Sequence, residues 1–505
     1  MKQTAVNRSY RSLHLLNASA GVCATLMLAA ATTLTAQDLT PVFPIPSEAQ
    51  LRWQDLEYYA FFHYGMNTFT GQQWGDGSEQ ESLFAPDSAP DVAQWLTVAQ
   101  SAGMKGGVAV VKHHDGFCLW PTQTTTHCVT SCATQAARDL CLPLSFALAA
   151  DSLGMAYGFY LSPWDRNAAL FGTADYMQLV YIPQVLELLQ LAPHPFELWM
   201  DGANNGYGYY GGACETRSIN AMTYYDTPNL RALVRQSTPD CMVALLTSDV
   251  RWVGNEAGIA SETCWCMSRY GATTDQRTGD ADGWCWNPAE ADLTIYENTN
   301  KWFYEDGLTL RTAEDLFMHY LITVGRNCNF ILNLAPDRSG RLPASTVELM
   351  AELGSLLHDR LGHDLAPSAT ITADVTRAAG TTATFAAANL TDGDAQTAWA
   401  APDGVVQATI TLSWPEVQTL RYVSLQEQLQ WGQRISSFAI DSSLDGVNWQ
   451  SCATSVSMTT VGHRRIIPLA GSAYQSYDRP VEARYLRIRL LDARACPVLH
   501  TISIF

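Results

Sequence analysis

Short apolar runs alternate with amphipathic stretches between about residues 58 and 359 of the 505-residue chain. Apolar runs of this length are typical of strands buried on both faces, whereas the stretches between them have the 3.6-residue period of helices. The pattern predicts strands at 58–65, 106–116, 156–162, 196–202, 241–248 and 329–336. It predicts helices within 90–103, 142–154, 176–192 and 312–325.

Repeated strand–helix units over roughly 300 residues indicate an α/β fold, either a (β/α)8-type barrel or a doubly wound parallel sheet. The positions of polar residues favour the barrel, because they fall at the carboxyl ends of the runs, where barrel active sites assemble. These residues are His63, His113, His114, Tyr160, Asp201 and Asn333.

The composition changes after Leu361, where Ala, Thr and Pro become frequent. The segments LTDGDAQTAW, SLDGVNW and YLRIRLLDA then combine short alternating strands with turn residues. We therefore expect a barrel domain over residues 37–362 and an all-β sandwich over residues 366–505.

The N-terminus has the order of a secretory signal, with Lys2, Arg8 and Arg11 before an apolar, Ala-rich stretch that ends in small residues. Residues 1–36 are therefore predicted to be a signal peptide, and the mature protein is expected in the periplasm or outside the cell. No later stretch is a plausible membrane span. Twelve of the 13 cysteines follow this segment, so some disulfides are expected, although not between Cys264 and Cys266, which one residue separates.

The net charge of −19 argues against nucleic acid and anionic membranes as partners and favours a neutral substrate. The chain contains 15 Trp and 21 Tyr residues. Aromatic rings stack on the apolar faces of sugars, but most of them pack in cores, so their number alone decides little.

Two carboxylates occupy positions suited to catalysis. Asp201 directly follows the apolar run FELWM and precedes Gly202, where a strand opens into a rim loop; capping of the next turn is the alternative role. Glu256, in RWVGNEAG, has apolar neighbours that would raise its pKa, although the segment by itself favours a surface residue in a loop. Two carboxylates in unequal environments are typical of glycoside hydrolysis with retention of configuration.

Adjacent histidines occur in KHHDGF, at positions 113 and 114. Neighbouring side chains of a strand face opposite ways, so one can line a pocket while the other supports it. Their spacing does not match that of zinc ligands, and hydrogen bonding to hydroxyl groups is the favoured interpretation.

Six motifs together resemble glycoside hydrolase family 29, the retaining α-L-fucosidases. The motifs are FFHYGMNTFTGQQWGDG, VVKHHDGFCLWPT, GFYLSPWDRN, ELWMDGANNG, RWVGNEAG and LNLAPDRSGRLP, in the family's order from about 50 to 358. The resemblance implies that Asp201 is the nucleophile. It also implies that Glu256 is the acid/base of the subgroup that prefers α-1,3 and α-1,4 fucosyl branches, with Glu262 and Glu290 as the alternatives.

The same resemblance implies a set of sugar contacts and no cofactor for catalysis. Trp302 is expected to pack on the C6 methyl group of fucose, and Gln73 replaces a Glu of other members but can still bind a hydroxyl group. An insertion, GYGYYGGACETRS, follows Asp201. The remaining expected contacts are His63, Trp74, His113, His114, Tyr160 and Trp199.

The C-terminal part resembles discoidin-like sandwiches, which also serve as family 32 carbohydrate-binding modules. In related domains, the loop that corresponds to Asp392, Asp394 and Thr397 holds a structural calcium ion, whose preference is for oxygen ligands. The module can bind sugar or simply pack against the barrel.

The resemblance thus predicts an exo-α-L-fucosidase that acts on fucosylated glycans. Two alternatives remain at this stage: a fucoside-binding protein without catalysis, and a barrel glycosidase for a related sugar such as an α-L-galactoside.

Overall fold

The computed structural model describes residues 39–244, 249–269, 275–378, 385–452, 458–471 and 479–505. The predicted signal peptide lies outside these residues. Within them, no helix is long and apolar enough to cross a membrane.

The first domain contains a barrel of eight strands with two short hairpins between them. The strands are β1 (Tyr58–Phe62), β2 (Gly106–Lys112), β3 (Ala156–Leu161), β4 (Glu197–Trp199), β5 (Gly206–Gly208), β6 (Glu215–Arg217), β7 (Met242–Ala244), β8 (Arg251–Trp252), β9 (Met267–Ser268), β10 (Cys285–Trp286), β11 (Ala289–Thr294) and β12 (Cys328–Asn333).

Helices alternate with these strands. They are α1 (Glu48–Gln54), α2 (Met66–Thr70), α3 (Val92–Ser101), α4 (Gln135–Arg138), α5 (Leu142–Leu153), α6 (Ile182–Leu191), α7 (Ala221–Tyr224), α8 (Thr227–Ser237), α9 (Ala313–Thr323) and α10 (Ala344–Leu361). Local sequence sets several of their ends: the Asp91 side chain accepts a hydrogen bond from the backbone N–H of Gln94 at the start of α3, and Gly154 takes a left-handed conformation after α5.

The eight barrel strands are ordered β7-β4-β3-β2-β1-β12-β11-β8, and every neighbouring pair is parallel. A parallel bridge between Ala244 and Val250 joins the two edges of this sheet. The sheet is therefore a nearly closed barrel, which excludes the doubly wound alternative.

The second domain is an antiparallel sandwich of a five-stranded and a four-stranded sheet, ordered β13-β15-β20-β17-β18 and β14-β21-β16-β19. The predicted α/β barrel with a C-terminal β-sandwich is confirmed. The strands are β13 (Thr370–Ala373), β14 (Trp399–Ala400), β15 (Ala408–Leu420), β16 (Tyr422–Glu427), β17 (Ile435–Ser443), β18 (Gln450–Ser451), β19 (Arg465–Pro468), β20 (Val481–Ala493) and β21 (Val498–Ile504).

The sandwich packs directly on the barrel. Arg326, at the start of the turn into β12, forms an antiparallel bridge with Arg465 of β19. The backbone N–H of Asn327 donates to the Arg464 carbonyl at 2.9 Å. A Cβ atom at Gly462 would lie 2.2 Å from the Asn327 side chain, so this close approach requires glycine.

The twelve cysteines within the described residues are all free. The expectation of disulfides is therefore wrong for this part of the chain. Most of these thiols are buried among apolar side chains, where a cysteine packs as a small hydrophobic residue.

Candidate active site

The carboxyl ends of the barrel strands bring the predicted site residues to one rim. Asp201 follows β4 by two residues, and its side chain is 26% exposed. Its Oδ1 accepts a hydrogen bond from the backbone N–H of Ala203 at 2.7 Å, and its Oδ2 accepts one from the Tyr160 hydroxyl at 2.8 Å. Two donors thus orient the carboxylate at the mouth of the barrel.

Tyr160 and Trp199 form the floor beneath Asp201. Their rings stack with centroids 5.3 Å apart, and the Trp199 indole N–H donates to Glu290 at 2.8 Å. Burial raises the pKa of Tyr160 well above its usual value, and the charge of Asp201 raises it further. The phenol therefore keeps its proton and remains a donor to the carboxylate.

The ring of His63 has a defined tautomer. Its Nδ1 lies 2.7 Å from Asn333 Oδ1, and the Asn333 amide nitrogen donates to the Trp302 carbonyl, which fixes the orientation of the amide. His63 Nδ1 must therefore carry the proton. Because burial lowers the pKa of His63 to about 3, the ring is neutral near pH 7 and its Nε2 is an acceptor.

The same argument applies to His114. Ser162 Oγ donates to the Trp164 carbonyl at 2.7 Å, so it accepts from His114 Nδ1, also at 2.7 Å. Burial lowers the pKa of His114 to about 4, against the raising effect of Asp201. Its Nε2 is therefore a neutral acceptor. This atom has no hydrogen-bond partner in the described part of the chain and lies 3.7 Å from Asp201 Oδ2.

His113 is the third histidine of the rim. The Asn67 amide nitrogen lies 3.5 Å from its Nδ1, but the Gln73 carbonyl and Asp115 Oδ2 lie closer to that nitrogen, at 3.4 and 3.2 Å, and can accept both of its protons. Burial, with the neighbouring His114, lowers the pKa of His113 well below its usual value. The rim therefore presents three uncharged histidine rings, two of which offer an acceptor nitrogen, a combination suited to a neutral ligand rich in hydroxyl groups.

Two tryptophans complete the wall of the pocket. The Trp74 side chain is 49% exposed and its ring meets that of His114 edge-on at 4.9 Å. Trp302 lies 5.3 Å from His63 between ring centroids. All seven predicted sugar-contact residues thus belong to one connected aromatic cluster. Within it, Trp199 and His114 are buried, and Trp74 is exposed to solvent.

Gln73 has a role that the sequence did not indicate. Its Oε1 accepts hydrogen bonds from the backbone N–H groups of Trp302 and Phe303, at 2.6 and 3.1 Å, and its Nε2 donates to the Phe303 carbonyl. The amide is therefore used to hold the Trp302 segment, and its oxygen already accepts two hydrogen bonds.

Glu256 lies on the loop after β8, with an exposed face. The neighbouring Asn255 side chain accepts from the Ala257 N–H and donates to the Ile259 carbonyl, which shapes the turn. Loss of water around the carboxyl raises the pKa of Glu256, and the charge of Asp201 adds to this, whereas a hydrogen bond from the Trp302 side chain opposes it. The charge of Asp201 therefore reaches the Glu256 carboxyl across the rim.

The two alternative acids lie elsewhere. Glu290 is fully buried in the barrel interior, where it accepts hydrogen bonds from Tyr59 and Trp199. Glu262 pairs with Arg326 and Arg465 between the two domains, and these charges outweigh its partial burial and lower its pKa. A group held in the charged form is a poor proton donor.

Asp292 is a further carboxyl near the site that sequence reasoning missed. It accepts a hydrogen bond from the Trp252 indole at 2.7 Å, and burial, with Glu256 nearby, raises its pKa well above the usual value. Glu290 and Asp292 alternate along β11, so both face the barrel interior. The acidic residues of AEADLT recur with a period of two, and this was the sequence pattern that could have identified Asp292.

The insertion after Asp201 forms the hairpin of β5 and β6 beside the pocket. The Arg166 guanidinium donates to the Tyr207 carbonyl at 2.7 Å, and the Trp164 indole donates to the Tyr210 hydroxyl at 3.0 Å. These contacts attach the hairpin to the loop after β3, where it forms a side wall of the rim.

The predicted calcium loop lies at the edge of the sandwich. Thr397 Oγ1 donates to Asp392 Oδ2 at 2.8 Å, and Asp392 Oδ1 accepts from the Asp394 N–H. Among the described residues, no group of three or more His, Cys, Asp or Glu side chains could hold a metal ion. The loop brings together two carboxylates and one hydroxyl, fewer oxygens than the six to eight that calcium takes.

Comparison with known proteins connects this geometry to a family. The family model described as alpha-L-fucosidase matches residues 46–360, and the F5/8 type C domain model matches residues 370–500. Alpha-L-fucosidase 1 of Arabidopsis thaliana is 30% identical over 476 residues, which cover 92% of this chain and 88% of that protein.

Solved structures of family 29 members are similar to this chain over most of its length. A glycoside hydrolase 29 family member from an unknown rumen bacterium has a TM-score of 0.79 at 30% identity, over 92% of this chain and 78% of that one. A family 29 fucosidase of Ruminococcus gnavus, in complex with fucose, has a TM-score of 0.80 at 25% identity, over 93% and 96%.

A parallel barrel with a polar, aromatic rim is typical of barrel glycosidases. The chain belongs to the α-L-fucosidase family, glycoside hydrolase family 29. It is a hydrolase that releases fucose, and it carries a C-terminal F5/8 type C domain.

A buried pair of carboxyl groups beneath this site has a defined protonation. The Tyr59 hydroxyl lies 3.1 Å from Glu197 Oε2 and 2.8 Å from Glu290 Oε2. One phenol proton cannot serve both carboxylates, so one carboxyl must itself be protonated. Burial raises the pKa of Glu197 to about 8, and burial together with Glu197 raises that of Glu290 well above its usual value.

This pair predicts a pH-dependent stability. Because the folded state raises the pKa of Glu197 to about 8, the stabilisation from its bound proton is complete below about pH 4.5 and is lost as the pH rises towards 8. Glu197→Gln cannot ionise, so the fall in Tm between pH 5 and pH 8 should become smaller by roughly 2 °C. Scanning calorimetry would measure this, with exposed Glu48→Gln as the control; equal slopes in both variants would contradict the shared proton.

Proposed function

We propose that this enzyme is a retaining exo-α-L-fucosidase that removes terminal α-1,3- and α-1,4-linked L-fucose from fucosylated glycans. One observation carries the proposal: Asp201 is oriented by Tyr160 and Ala203, and the pKa of Glu256 is raised by loss of water and by the charge of Asp201. The fucose in the related Ruminococcus gnavus structure supports the choice of sugar.

In the first step, the Asp201 carboxylate attacks the anomeric carbon while the glycosidic C–O bond breaks. Glu256 donates its proton to the departing oxygen, and a covalent fucosyl ester results. Esterification removes the negative charge of Asp201, and the pKa of Glu256 falls with it.

In the second step, Glu256 acts as a base. Its carboxylate takes a proton from water, the water oxygen attacks the anomeric carbon, and the ester bond to Asp201 breaks. Two inversions give overall retention, and both residues return to their initial states.

The neutral rim supports recognition of fucose. Nε2 of His63 and of His114 can accept hydrogen bonds from sugar hydroxyl groups, and the neutral ring of His113 offers a further polar group beside them. The Trp302 ring, next to His63, offers an apolar face for the C6 methyl group. An α-L-galactoside carries a hydroxymethyl group at this position, which an apolar contact disfavours modestly.

The location and the substrate class complete the proposal. The signal-peptide pattern of residues 1–36 supports an exported enzyme, in the periplasm or outside the cell. The GNE sequence around Glu256 supports the α-1,3/1,4 preference, through the subgroup that it resembles. Calcium in the loop of Asp392, Asp394 and Thr397 also remains a prediction, supported by the contact of the Thr397 hydroxyl with the Asp392 carboxylate.

Azide distinguishes the two catalytic roles. Asp201→Ala should lose about 10⁴-fold in kcat, and azide, occupying the space of the lost carboxylate, should restore turnover and give β-fucosyl azide. Glu256→Ala should instead give α-fucosyl azide, because azide then attacks the covalent intermediate. NMR of the products assigns the anomers, and wild-type activity in Asp201→Ala would refute the mechanism.

The rates on fucosides of different linkage test the proposed α-1,3/1,4 preference. Oligosaccharides with α-1,2, α-1,3, α-1,4 and α-1,6 fucose, followed by release of free fucose, should show α-1,3 and α-1,4 linkages cleaved at least ~10-fold faster. Nitrophenyl α-L-galactoside serves as the sugar control. Fastest cleavage of α-1,2 or α-1,6 linkages would contradict the subgroup.

Metal removal tests the calcium prediction. Chelation by EDTA should lower the Tm of the sandwich by a few degrees, and added calcium should restore it, because a ligand of the folded state stabilises it. Asp392→Asn should show no response to either treatment. An identical Tm of the wild type with EDTA and with calcium would exclude this site.

A further inference from the structure

The loop that carries Glu256 continues directly into the contact between the two domains. Its first part is held by the barrel: the Gly258 N–H donates to the Asp292 carbonyl at 2.9 Å, and the Ala260 N–H donates to the Ile322 carbonyl at 3.1 Å. Only five residues separate Glu256 from Glu262, where the contacts with the sandwich begin.

The second part, residues 262–266, is held by side chains of the sandwich. Thr459 Oγ1 donates to the Glu262 carbonyl at 3.0 Å, and Thr460 Oγ1 accepts from the Cys264 N–H at 3.0 Å. Gln433 accepts from the Cys266 N–H at 2.7 Å and donates to the Cys264 carbonyl at 3.3 Å. Four polar groups of the loop backbone therefore have their hydrogen-bond partners in the other domain.

An ion cluster fixes the point where the two parts meet. Arg465 of the sandwich, whose side chain is 3% exposed, pairs with the Glu262 carboxylate and donates to its carbonyl at 2.7 Å. Arg326 of the barrel pairs with the other carboxylate oxygen at 2.5 Å and donates to the Ala260 carbonyl at 2.8 Å. Because two guanidinium groups converge on one carboxylate, removal of any member leaves a charge without its full set of partners.

We propose that the C-terminal sandwich is a positioning element for the acid/base of this enzyme, with Arg465 as its main positioning residue. The proposal rests on the assignment of Glu256 as the acid/base. Glu256 lies on a rim loop, and its carboxyl is placed by the path of that loop and by the Trp302 side chain. Proton transfer requires hydrogen-bond distance to the leaving oxygen, and small displacements reduce its rate strongly.

The inference separates proton transfer from nucleophilic attack. Asp201 is held by hydrogen bonds from Tyr160 and Ala203. Both of these donors belong to the barrel and not to the sandwich. Loosening the sandwich contact should therefore impair the step that needs Glu256 and leave the attack by Asp201 intact.

The test measures kcat/KM of Arg465→Met on two fucosides, because kcat/KM reports the step that breaks the glycosidic bond. Dinitrophenol leaves without protonation, whereas a natural oligosaccharide needs the proton. We expect a loss of about 10-fold on the oligosaccharide and less than about 2-fold on the dinitrophenyl fucoside. The high-pH limb of the profile, which reports the acid, should shift as well.

Arg464→Met is the matched control. Arg464 precedes Arg465 in the chain and also joins the sandwich to the barrel, through an ion pair with Glu57 at 2.6 Å. Glu57 lies before β1, however, and not on the loop that carries Glu256. Its replacement should lower Tm without changing the ratio of the two kcat/KM values. A similar change of that ratio in Arg464→Met would show a general effect of domain contact and overturn the proposal.

A milder variant and a parallel measurement complete the test. Thr459→Val removes the hydrogen bonds to Glu262 and Thr263 and retains the side-chain shape; it should reduce the oligosaccharide rate selectively, by about 3-fold. Equal losses of kcat/KM on both substrates, or no loss of kcat/KM in either Arg465→Met or Thr459→Val, would refute the positioning role. If Glu256→Ala itself shows no leaving-group dependence, the acid/base assignment fails, and this proposal fails with it.

Discussion

Closure of the barrel between β7 and β8 is the constraint on which the active site depends. Asp201 follows β4 and Glu256 follows β8, and in the order of the sheet these two strands are six positions apart. In an open sheet that separation would be roughly 29 Å, whereas across the closed edge only β7 lies between them, roughly 10 Å. The bridge between Ala244 and Val250 thus determines whether two carboxylates of distant segments can act on one bond.

The barrel interior shows what this closure requires energetically. Glu197, Glu290 and Asp292 point inwards among Tyr59, Trp199 and Trp252, where ionised carboxylates would be costly. Shared protons and hydrogen bonds from indole N–H groups offset the free-energy cost of burying these carboxyl groups. The histidines above them follow the same rule, since burial keeps each ring neutral. The histidines therefore add no charge to the pocket.

Much of the fold followed from the sequence, because six barrel strands are continuous apolar runs and polar residues mark their ends. The strand β11 escaped this reasoning, since Glu290 and Asp292 interrupt its apolar pattern, and β8 has only two residues. Disulfides were expected from the compartment, whereas the folded chain buries most of its cysteines as free thiols. The positions of His63, His113 and His114 could be predicted, but the tautomers of His63 and His114 depend on Asn333 and Ser162, whose proximity only the three-dimensional fold creates.

The contact of Arg465 with Glu262 also bears on how such enzymes can evolve. Accessory domains are commonly regarded as exchangeable units, gained and lost by recombination at a linker. Here the backbone of the barrel loop has its hydrogen-bond partners in the sandwich, so a foreign domain grafted after α10 would leave buried polar groups of the barrel unpaired. The two domains are therefore expected to be inherited together, as a single evolutionary unit.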